Sequence, residues 1–129
     1  MAQIKIYGLK STLSEKREHL SQAIHEAVIS ALEYPVEKKF HRFIGLERCD
    51  FIHPEDRSDQ YVLIEILMFT GRSQEAKKQL ICKLFSNIEF SAGITAQDVE
   101  ITIIEMPREN WGIRGLPGDE LALNYQVNV

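Results

Sequence analysis

One nine-residue segment, YVLIEILMF at residues 61–69, limits most strongly the folds open to this chain. Its β-branched and large apolar residues are typical of a β-strand. Because successive side chains of a strand point to opposite faces, apolar residues fall on both faces of this one. One face has Val62, Ile64, Ile66 and Met68, and the other has Tyr61, Leu63, Leu67 and Phe69 with Glu65. A strand that is apolar on both faces must be covered on both, which predicts a central strand of a packed sheet.

Two amphipathic segments predict helices that cover one face of this sheet. The first spans residues 14–33, where Ser14 or Thr12 is the expected N-cap and Thr12 has capping-box spacing to Glu15. The second begins at about Ser73 and ends at Gly93, which can adopt the left-handed conformation that commonly ends a helix. Apolar side chains at helical spacing give their inner faces: Leu20, Ile24, Ala27, Val28 and Ala31 in the first, and Leu80, Ile81, Leu84, Phe85 and Ile88 in the second.

The order of elements predicts a tandem βαβ repeat within one domain, residues 1–129. Strands are expected at 3–8, 39–47, 61–69 and 98–106, with one helix inside each pair. The two pseudo-repeats span about 1–48 and 60–111, and residues 112–129 form a C-terminal arm. The fold class is therefore α/β (α+β): a four-stranded sheet with two helices on one face, plus a C-terminal strand or hairpin.

The uncovered face of the sheet and the C-terminal arm both favour homo-oligomerisation. Two helices cover one side of a four-stranded sheet, so another subunit is expected on the other side. The segment LALNYQVNV alternates from Leu121 to Val129, which predicts a late strand that adds to an edge, such as that of a neighbouring subunit.

Composition and motifs exclude several function classes. A net charge of −4 argues against a nucleic-acid binder. No apolar run approaches the roughly 20 residues that span a bilayer, and a signal peptide is not expected at the start, so we predict a cytoplasmic protein with Cys49 and Cys82 reduced. No cofactor is predicted. The loop with His53, Glu55, Asp56 and Asp59 is expected to be solvated, and no metal site is predicted.

The stretch FTGRSQEAKKQL, followed by DVEITIIEMPRENWGIRG, resembles the tautomerase superfamily, which contains 4-oxalocrotonate tautomerase and macrophage migration inhibitory factor. The two-unit layout is similar to the fused branch that includes malonate semialdehyde decarboxylase. The resemblance covers essentially the whole chain. It implies a homotrimer in which three four-stranded sheets form a central barrel, which would cover the second apolar face of residues 61–69.

The resemblance also implies chemistry at the amino terminus, where family members use the amine of an N-terminal proline as general base or acid. This chain has Ala2 at that position. If Met1 is removed, the Ala2 amine, with an ordinary pKa of about 7.7–8.0, could serve as a base or form a Schiff base. The alternative is that Ala2 only begins a strand.

The resemblance places a substrate-carboxylate arginine at Arg72 and pocket-lining side chains at Trp111 and Ile113. A guanidinium donates two parallel hydrogen bonds to a carboxylate, and a helix start favours anions, so Arg72 is suited to this role. Arg42 is expected among apolar side chains, where either Glu65 or Glu100, or a substrate carboxylate, would be its partner. Tyr7 and His41 could reach the pocket, although a structural role is expected for each.

Two hypotheses about function follow. In the first, the chain binds a small keto or enol carboxylic acid and is a tautomerase-type isomerase, or a decarboxylase- or hydratase-like lyase, with weak or altered activity because proline is replaced by Ala2. Lys38 stands where the resemblance implies an acidic residue, which disfavours the lyase reactions. In the second, the chain is a non-catalytic trimeric binding or scaffold protein.

Overall fold

The computed structural model describes residues 2–129 as a four-stranded sheet with two long helices and a small hairpin. In chain order, the elements are β1 (Ala2–Leu9), α1 (Lys10–Leu32), β2 (His41–Leu46), β3 (Val62–Phe69), α2 (Gln74–Ala92), β4 (Val99–Met106), β5 (Gly112–Ile113) and β6 (Leu116–Pro117). The predicted fold class is confirmed, and β5 pairs with β6 as the small hairpin.

The strand order is β2-β1-β3-β4, which places the first strand in the middle of the sheet. Strands β1 and β2 are parallel, as are β3 and β4, and each pair is joined by one helix. Strands β1 and β3 are antiparallel, and Ala2 pairs with Met68. Ala2 therefore lies beside the end of β3, where α2 is about to begin.

The core lies between the sheet and the two helices. Alternate residues of β1 and β3 are buried on this side: Ala2, Ile4, Ile6, Val62, Ile64, Ile66 and Met68. The predicted α1 face is buried, and Leu80, Leu84 and Ile88 of α2 are fully buried while Phe85 packs against the core partly exposed. Each buried Leu or Ile stabilises the fold by roughly 1.5–3 kcal/mol, so these two faces fix where the helices lie.

The start of α1 differs from the prediction. The helix begins at Lys10, directly after β1. Leu9 occupies the N-cap position, and in the described chain no side chain makes a capping hydrogen bond there. Thr12 lies inside the helix and donates its hydroxyl to the Asp59 carbonyl at 2.6 Å. The predicted capping box is absent from residues 2–129 because the strand runs straight into the helix and leaves no capping turn.

The start and end of α2 are as predicted. The Ser73 hydroxyl accepts a hydrogen bond from the Ala76 N–H at 3.1 Å, which is the geometry of an N-cap. Gly93 ends the helix with a φ of 68°.

The opposite face of the sheet is left partly exposed by the chain's own elements. Its members include Gln3, Lys5, Tyr7, Leu63, Leu67 and Ile104. We call it the open face. The predicted packing on both sides of residues 61–69 is thus met on the helix side within one chain, while Leu63 and Leu67 on the open face stay half-buried.

Residues 121–129 form no ladder within the described chain, and their addition to the edge of a neighbouring subunit stays a prediction. They instead lie along their own molecule, and we call this segment the C-terminal strap. Burial alternates along it, with Leu121, Leu123, Tyr125, Val127 and Val129 half-buried and the residues between them exposed. The alternation of apolar and polar residues thus indicates an extended segment with one covered side. That side packs against the same chain.

Neither helix within residues 2–129 combines the length and the apolar character that crossing a bilayer requires. Cys49 and Cys82 are free and exposed thiols.

Candidate functional site

The nitrogen of Ala2 lies in a buried polar cluster at the start of β1. Ala2 is 1% exposed, and its N–H donates to the Tyr34 hydroxyl at 3.0 Å. Tyr34 is itself buried and follows α1 directly, after Glu33 has ended the helix in the left-handed conformation. The Ala2 nitrogen is thus held by a defined partner. The processing of Met1 concerns a residue outside the described range.

Two further side chains, Tyr125 and Arg72, extend this cluster. The Tyr34 and Tyr125 rings meet edge to face at 5.0 Å between centroids, and their hydroxyls are hydrogen-bonded. The Arg72 guanidinium hydrogen-bonds the Tyr125 hydroxyl, and its central carbon lies 6.0 Å from the Tyr125 ring centroid. A continuous polar path therefore joins the Ala2 nitrogen to Arg72.

Burial governs the electrostatics of this cluster. It raises the pKa of Tyr34 and, to a smaller extent, of Tyr125, so both phenols stay protonated at neutral pH. The nearby Arg72 opposes the increase at Tyr125. Burial lowers the pKa of Arg72, and the two tyrosine hydroxyls oppose this decrease. The guanidinium remains the one strong positive charge of the cluster.

Arg72 is an arginine buried with part of its hydrogen-bonding capacity unused. It is 5% exposed, and its Nη1 donates to the Phe69 carbonyl at 3.2 Å. Its Nε and Nη2 are buried, and neither has a hydrogen-bond partner among the described residues. These two atoms form one edge of the guanidinium, the edge that can donate two parallel hydrogen bonds to a carboxylate. Because unpaired buried donors are costly, this edge is suited to an anionic ligand.

The turn between β3 and α2 sets the direction of Arg72. Gly71 has a φ of +142°, a conformation that side chains with a Cβ rarely adopt. A Cβ there would meet Val127 and Asn128 of the strap at 2.8 Å. The Ser73 N–H donates to the Val129 carbonyl oxygen at 2.9 Å. The strap therefore lies directly on the turn that presents Arg72.

Aromatic side chains form a wall beside this turn. Trp111 meets Phe69 edge to face at 5.1 Å, and its indole N–H donates to the Met106 carbonyl at 3.4 Å. The central guanidinium carbon of Arg108 lies 5.5 Å from the centroid of the Phe69 ring. The same guanidinium donates to the Leu121 carbonyl at 2.8 Å and so anchors the strap. Trp111 and Arg72 therefore both contact Phe69, Trp111 at its ring and Arg72 at its carbonyl. Ile113 is half-buried in β5.

Arg42 lies elsewhere, and in the described chain it pairs with neither Glu65 nor Glu100, while a substrate carboxylate as its partner stays a prediction. It is exposed on the open face of edge strand β2, where its Nη1 donates to the Gln3 side chain at 3.2 Å. Lys5 of β1 lies between Arg42 and Glu65 in the strand register, because β1 separates β2 from β3. Glu100 pairs with Arg57 at 2.9 Å instead.

His41 belongs to a second cleft, of about 590 Å³, between α1 and β2. Its Nδ1 is 2.8 Å from the Ser21 hydroxyl, and its ring meets that of His25 edge to face at 5.9 Å. Burial lowers the pKa of His41 to about 4, helped by His25 and Lys39. The cleft is lined by Arg17, Glu18, Ser21, Gln22, Lys39, His41 and Phe43, and we call it the α1–β2 cleft. Tyr7 lies on the open face.

Sequence reasoning missed Tyr34 and Tyr125. Tyr34 sits between a helix end and Pro35, which marks a turn but gives no sign of what the side chain contacts. Tyr125 lies in the alternating segment that was predicted to extend towards another subunit. No group of three or more His, Cys, Asp or Glu side chains in residues 2–129 could hold a metal ion.

Known proteins resemble this chain in sequence and in fold. Residues 38–114, more than half of the chain, match the family model described as tautomerase enzyme. The chain is 39% identical over 58 residues to 2-hydroxymuconate tautomerase of Comamonas testosteroni, which is 45% of this chain and 92% of that protein. It is 25% identical over 99 residues to the probable tautomerase YusQ of Bacillus subtilis (strain 168), which is 73% of this chain and 78% of that protein.

Solved structures share the whole arrangement of helices and strands. A crystal structure of malonate semialdehyde decarboxylase superposes with a TM-score of 0.81 at 20% identity, over 92% of this chain and 99% of that one. A fused 4-OT solved as a symmetric trimer gives a TM-score of 0.78 at 19% identity, over 91% and 96%. The site and the sheet therefore sit in a tautomerase fold, and the chain belongs to the tautomerase family.

Proposed function

We propose that this protein is a tautomerase-type isomerase that acts on a small keto or enol carboxylic acid. The observation that supports this most directly is the buried Nε–Nη2 edge of Arg72, which is unpartnered in the described chain and connected to the Ala2 nitrogen through two hydroxyls. Arg72 would hold the substrate carboxylate, Phe69 and Trp111 would contact its apolar part, and the Ala2 amine would transfer a proton. Ile113 is proposed as a further lining residue.

The proposed reaction requires a chain that begins at Ala2. The neutral amine takes the proton of the enol hydroxyl as the carbonyl forms, and the resulting ammonium returns a proton to the distal carbon of the former double bond. One proton enters the amine and one leaves it, so the amine is regenerated. Burial and the positive charge of Arg72 both favour the neutral amine, which is the form that a general base needs at neutral pH.

Activity is expected to be weak or altered because the amine is that of Ala2. The resemblance implies a proline at this position, whose secondary amine is held by its ring. A primary amine on alanine has more rotational freedom and can also condense with a keto acid to a Schiff base, which would divert it from proton transfer.

Ketonisation of 2-hydroxymuconate, the compound that names a relative, provides the test. We expect measurable turnover by chain that begins at Ala2, and a higher kcat/KM for Ala2→Pro in the same form. Arg72→Met in either background should lose turnover mainly through KM if Arg72 holds the carboxylate. Retention of Met1 on all of the protein isolated from its native host, measured by intact mass, would refute amine catalysis.

We further propose that the active form is a homotrimer. The partly exposed open face, with Leu63 and Leu67, supports an assembly that covers it, as does the trimeric state of fused 4-OT. Sedimentation of the full chain should give three times the monomer mass, and Leu67→Lys should lower that mass without loss of helix signal in circular dichroism. A monomer at micromolar concentration would contradict the proposal.

A non-catalytic trimeric binding or scaffold protein is the second candidate. The absence of proline and the lysine at position 38 favour it, since both depart from what the resemblance implies for catalysis. Binding of oxalate that depends on Arg72, with no turnover by the chain that begins at Ala2 or by its Ala2→Pro variant, would support this candidate over the isomerase.

A further inference from the structure

Two tyrosines join the base end of the proposed site to its carboxylate end. The Ala2 N–H donates to the Tyr34 oxygen, the Tyr34 hydroxyl is bonded to Tyr125, and Arg72 donates to the Tyr125 oxygen. Because the Tyr34 oxygen already accepts from Ala2, its own proton is directed to Tyr125. Neither tyrosine belongs to the machinery considered so far, and their order in this path gives each a specific task.

The two tyrosines come from different parts of the chain and are held by different contacts. Tyr34 is 4% exposed and is fixed by its backbone, whose N–H donates to the Ile29 carbonyl at 3.3 Å. Tyr125 is half-buried and belongs to the strap, which is held on the Arg72 turn by the Ser73–Val129 hydrogen bond. A displacement of the strap would therefore move Tyr125 and leave Tyr34 in place.

A carboxylate reaches the free edge of Arg72 only after the cover of that edge opens. The Nε and Nη2 atoms are buried, and the strap lies on the turn beside them, against Gly71 and Ser73. When the strap moves away, Tyr34 loses Tyr125 as its acceptor. The Ala2 nitrogen lies 3.0 Å from the Tyr34 oxygen, and in a processed chain it has a lone pair that can accept when it is neutral.

We propose that Tyr34 and Tyr125 form a ligand-operated switch on the Ala2 amine. In the free protein the Tyr34 hydroxyl donates a hydrogen bond to Tyr125 and the Tyr34 oxygen accepts one from the amine, which favours the ammonium form. When a carboxylate ligand binds Arg72 and displaces Tyr125, Tyr34 donates to the amine and favours its neutral, basic form. Both are positioning residues, and this inference rests on the proposed function because it needs a free amine at Ala2.

Other charged groups near this path also act on Tyr125 and Arg72, and they must be the same in every variant that is compared. Lys38 lies 5.9 Å from the Tyr125 ring centroid, Arg108 acts on Tyr125, and Glu105 acts on Arg72 while it pairs with Lys77 at 2.8 Å. The variants below change none of these groups.

The test measures the amine directly, by NMR titration of the Ala2 signals in full-length chain that begins at Ala2 and is labelled with ¹³C-alanine. The charge of bound oxalate neutralises Arg72 and raises the amine pKa in every variant, so the switch is measured as a difference between variants. With oxalate as an unreactive probe, the change in amine pKa on saturation should be about one unit more negative in the wild-type protein than in Tyr34→Phe or Tyr125→Phe. In Tyr125→Phe the free protein should already titrate below the free wild-type protein.

A control and a second readout keep the outcomes separate. Tyr61→Phe removes a buried hydroxyl elsewhere in the fold and should leave the wild-type pattern intact. Hydrogen exchange of residues 121–129 should quicken when oxalate binds, which tests the movement of the strap even if Tyr34→Phe folds poorly. A change of equal size in the amine pKa of wild type and Tyr125→Phe on oxalate binding, or unchanged exchange of the strap in the oxalate complex, would overturn the switch. If the switch operates but 2-hydroxymuconate is not turned over, the inference holds and the isomerase proposal fails.

Discussion

The two helix starts of this fold occupy equivalent places in the two halves, yet they are built for different purposes. In the first half, β1 runs into α1 at Lys10, and Lys10 pairs with Glu47 at 2.8 Å on the surface. In the second half, a turn of four residues separates β3 from α2 and holds Arg72 buried with two unused donors. The first start pairs its cation with a carboxylate, and the second leaves two donors of its cation without a partner among the described residues.

The difference shows that a repeated βαβ pattern does not repeat the surroundings of the cation at the helix start. A carboxylate ligand at the first start would compete with Glu47 in open solvent, where ion pairs contribute little. At the second start the guanidinium is already desolvated and directed by Gly71, so less free energy is needed to order the site on binding.

The largest expected effect is on ligand binding. Arg72→Met should reduce the affinity for oxalate by a factor of 100 or more, since two charge-assisted hydrogen bonds of about 1.5–3 kcal/mol each are lost. The same change should leave the free energy of unfolding equal or raise it, because it removes two unpaired buried donors. Calorimetric titration and urea unfolding measure the two quantities. Lys10→Met is the matched variant at the first start, and a comparable loss of oxalate binding there would contradict the comparison.

Gly71→Ala should destabilise the turn and the strap together. The positive φ and the close approach of Val127 and Asn128 should cost about 1–3 kcal/mol of unfolding free energy. Gly112→Ala, where a Cβ meets nothing within 4 Å, should have almost no effect. Urea midpoints compare the two variants, and equal midpoints would show that Gly71 is not required for the turn.

The N-caps give a smaller difference. Ser73→Ala removes the hydroxyl that accepts from the Ala76 N–H and should cost about 1 kcal/mol in thermal or urea unfolding. Ser14→Ala is the control in the first half, where Ser14 is an exposed residue inside α1, and replacement by a better helix former should be neutral or slightly stabilising. A larger loss of unfolding free energy for Ser14→Ala than for Ser73→Ala would indicate that Ser14 is the N-cap of α1, as the sequence predicts.

The smallest expected effect concerns pH. His41 of the α1–β2 cleft is uncharged in the folded chain, with a pKa of about 4, whereas an unfolded histidine titrates near 6.5. Between these values the unfolded chain binds more protons, so His41 contributes stability that is present above about pH 6.5 and is lost as the pH falls towards 4. His25, Lys39, Arg17 and Glu18 line or face this group.

His41→Asn should flatten the decrease in thermal midpoint between pH 6.5 and 4, whereas replacement of the exposed His19 by glutamine should not. Thermal unfolding monitored by circular dichroism at several pH values measures both. A slope that is equal in wild type and His41→Asn would show that His41 does not contribute. Arg72 in the second half makes no such pH-dependent contribution to stability, because it stays charged throughout this range.

Local signals in the sequence were sufficient for some elements and not for others. Ser73 and Gly93 mark α2 correctly because caps depend on side chains within a few residues. The start of α1 could not be located, since a strand that continues directly into a helix needs no capping residue. Period-2 counting gave the face of Arg42 but not its neighbour, because the insertion of β1 between β2 and β3 is a property of topology.

The site shows the same limit. Arg72 and Trp111 follow from a resemblance in sequence, and the structure puts both at the β3–α2 turn through Phe69. Tyr34 and Tyr125 are 91 positions apart and meet only because the strap returns across the chain. Alternation in residues 121–129 predicts an extended segment with one covered side, but it does not say which surface covers it.

The most direct test of this account is a crystal structure of the full chain, beginning at Ala2, grown with oxalate. We expect oxalate on the Nε and Nη2 atoms of Arg72, within reach of the Ala2 nitrogen, with Tyr125 displaced. Oxalate in the α1–β2 cleft alone, beside Arg17 and Lys39, or an unliganded Arg72 still held by Tyr125, would contradict it.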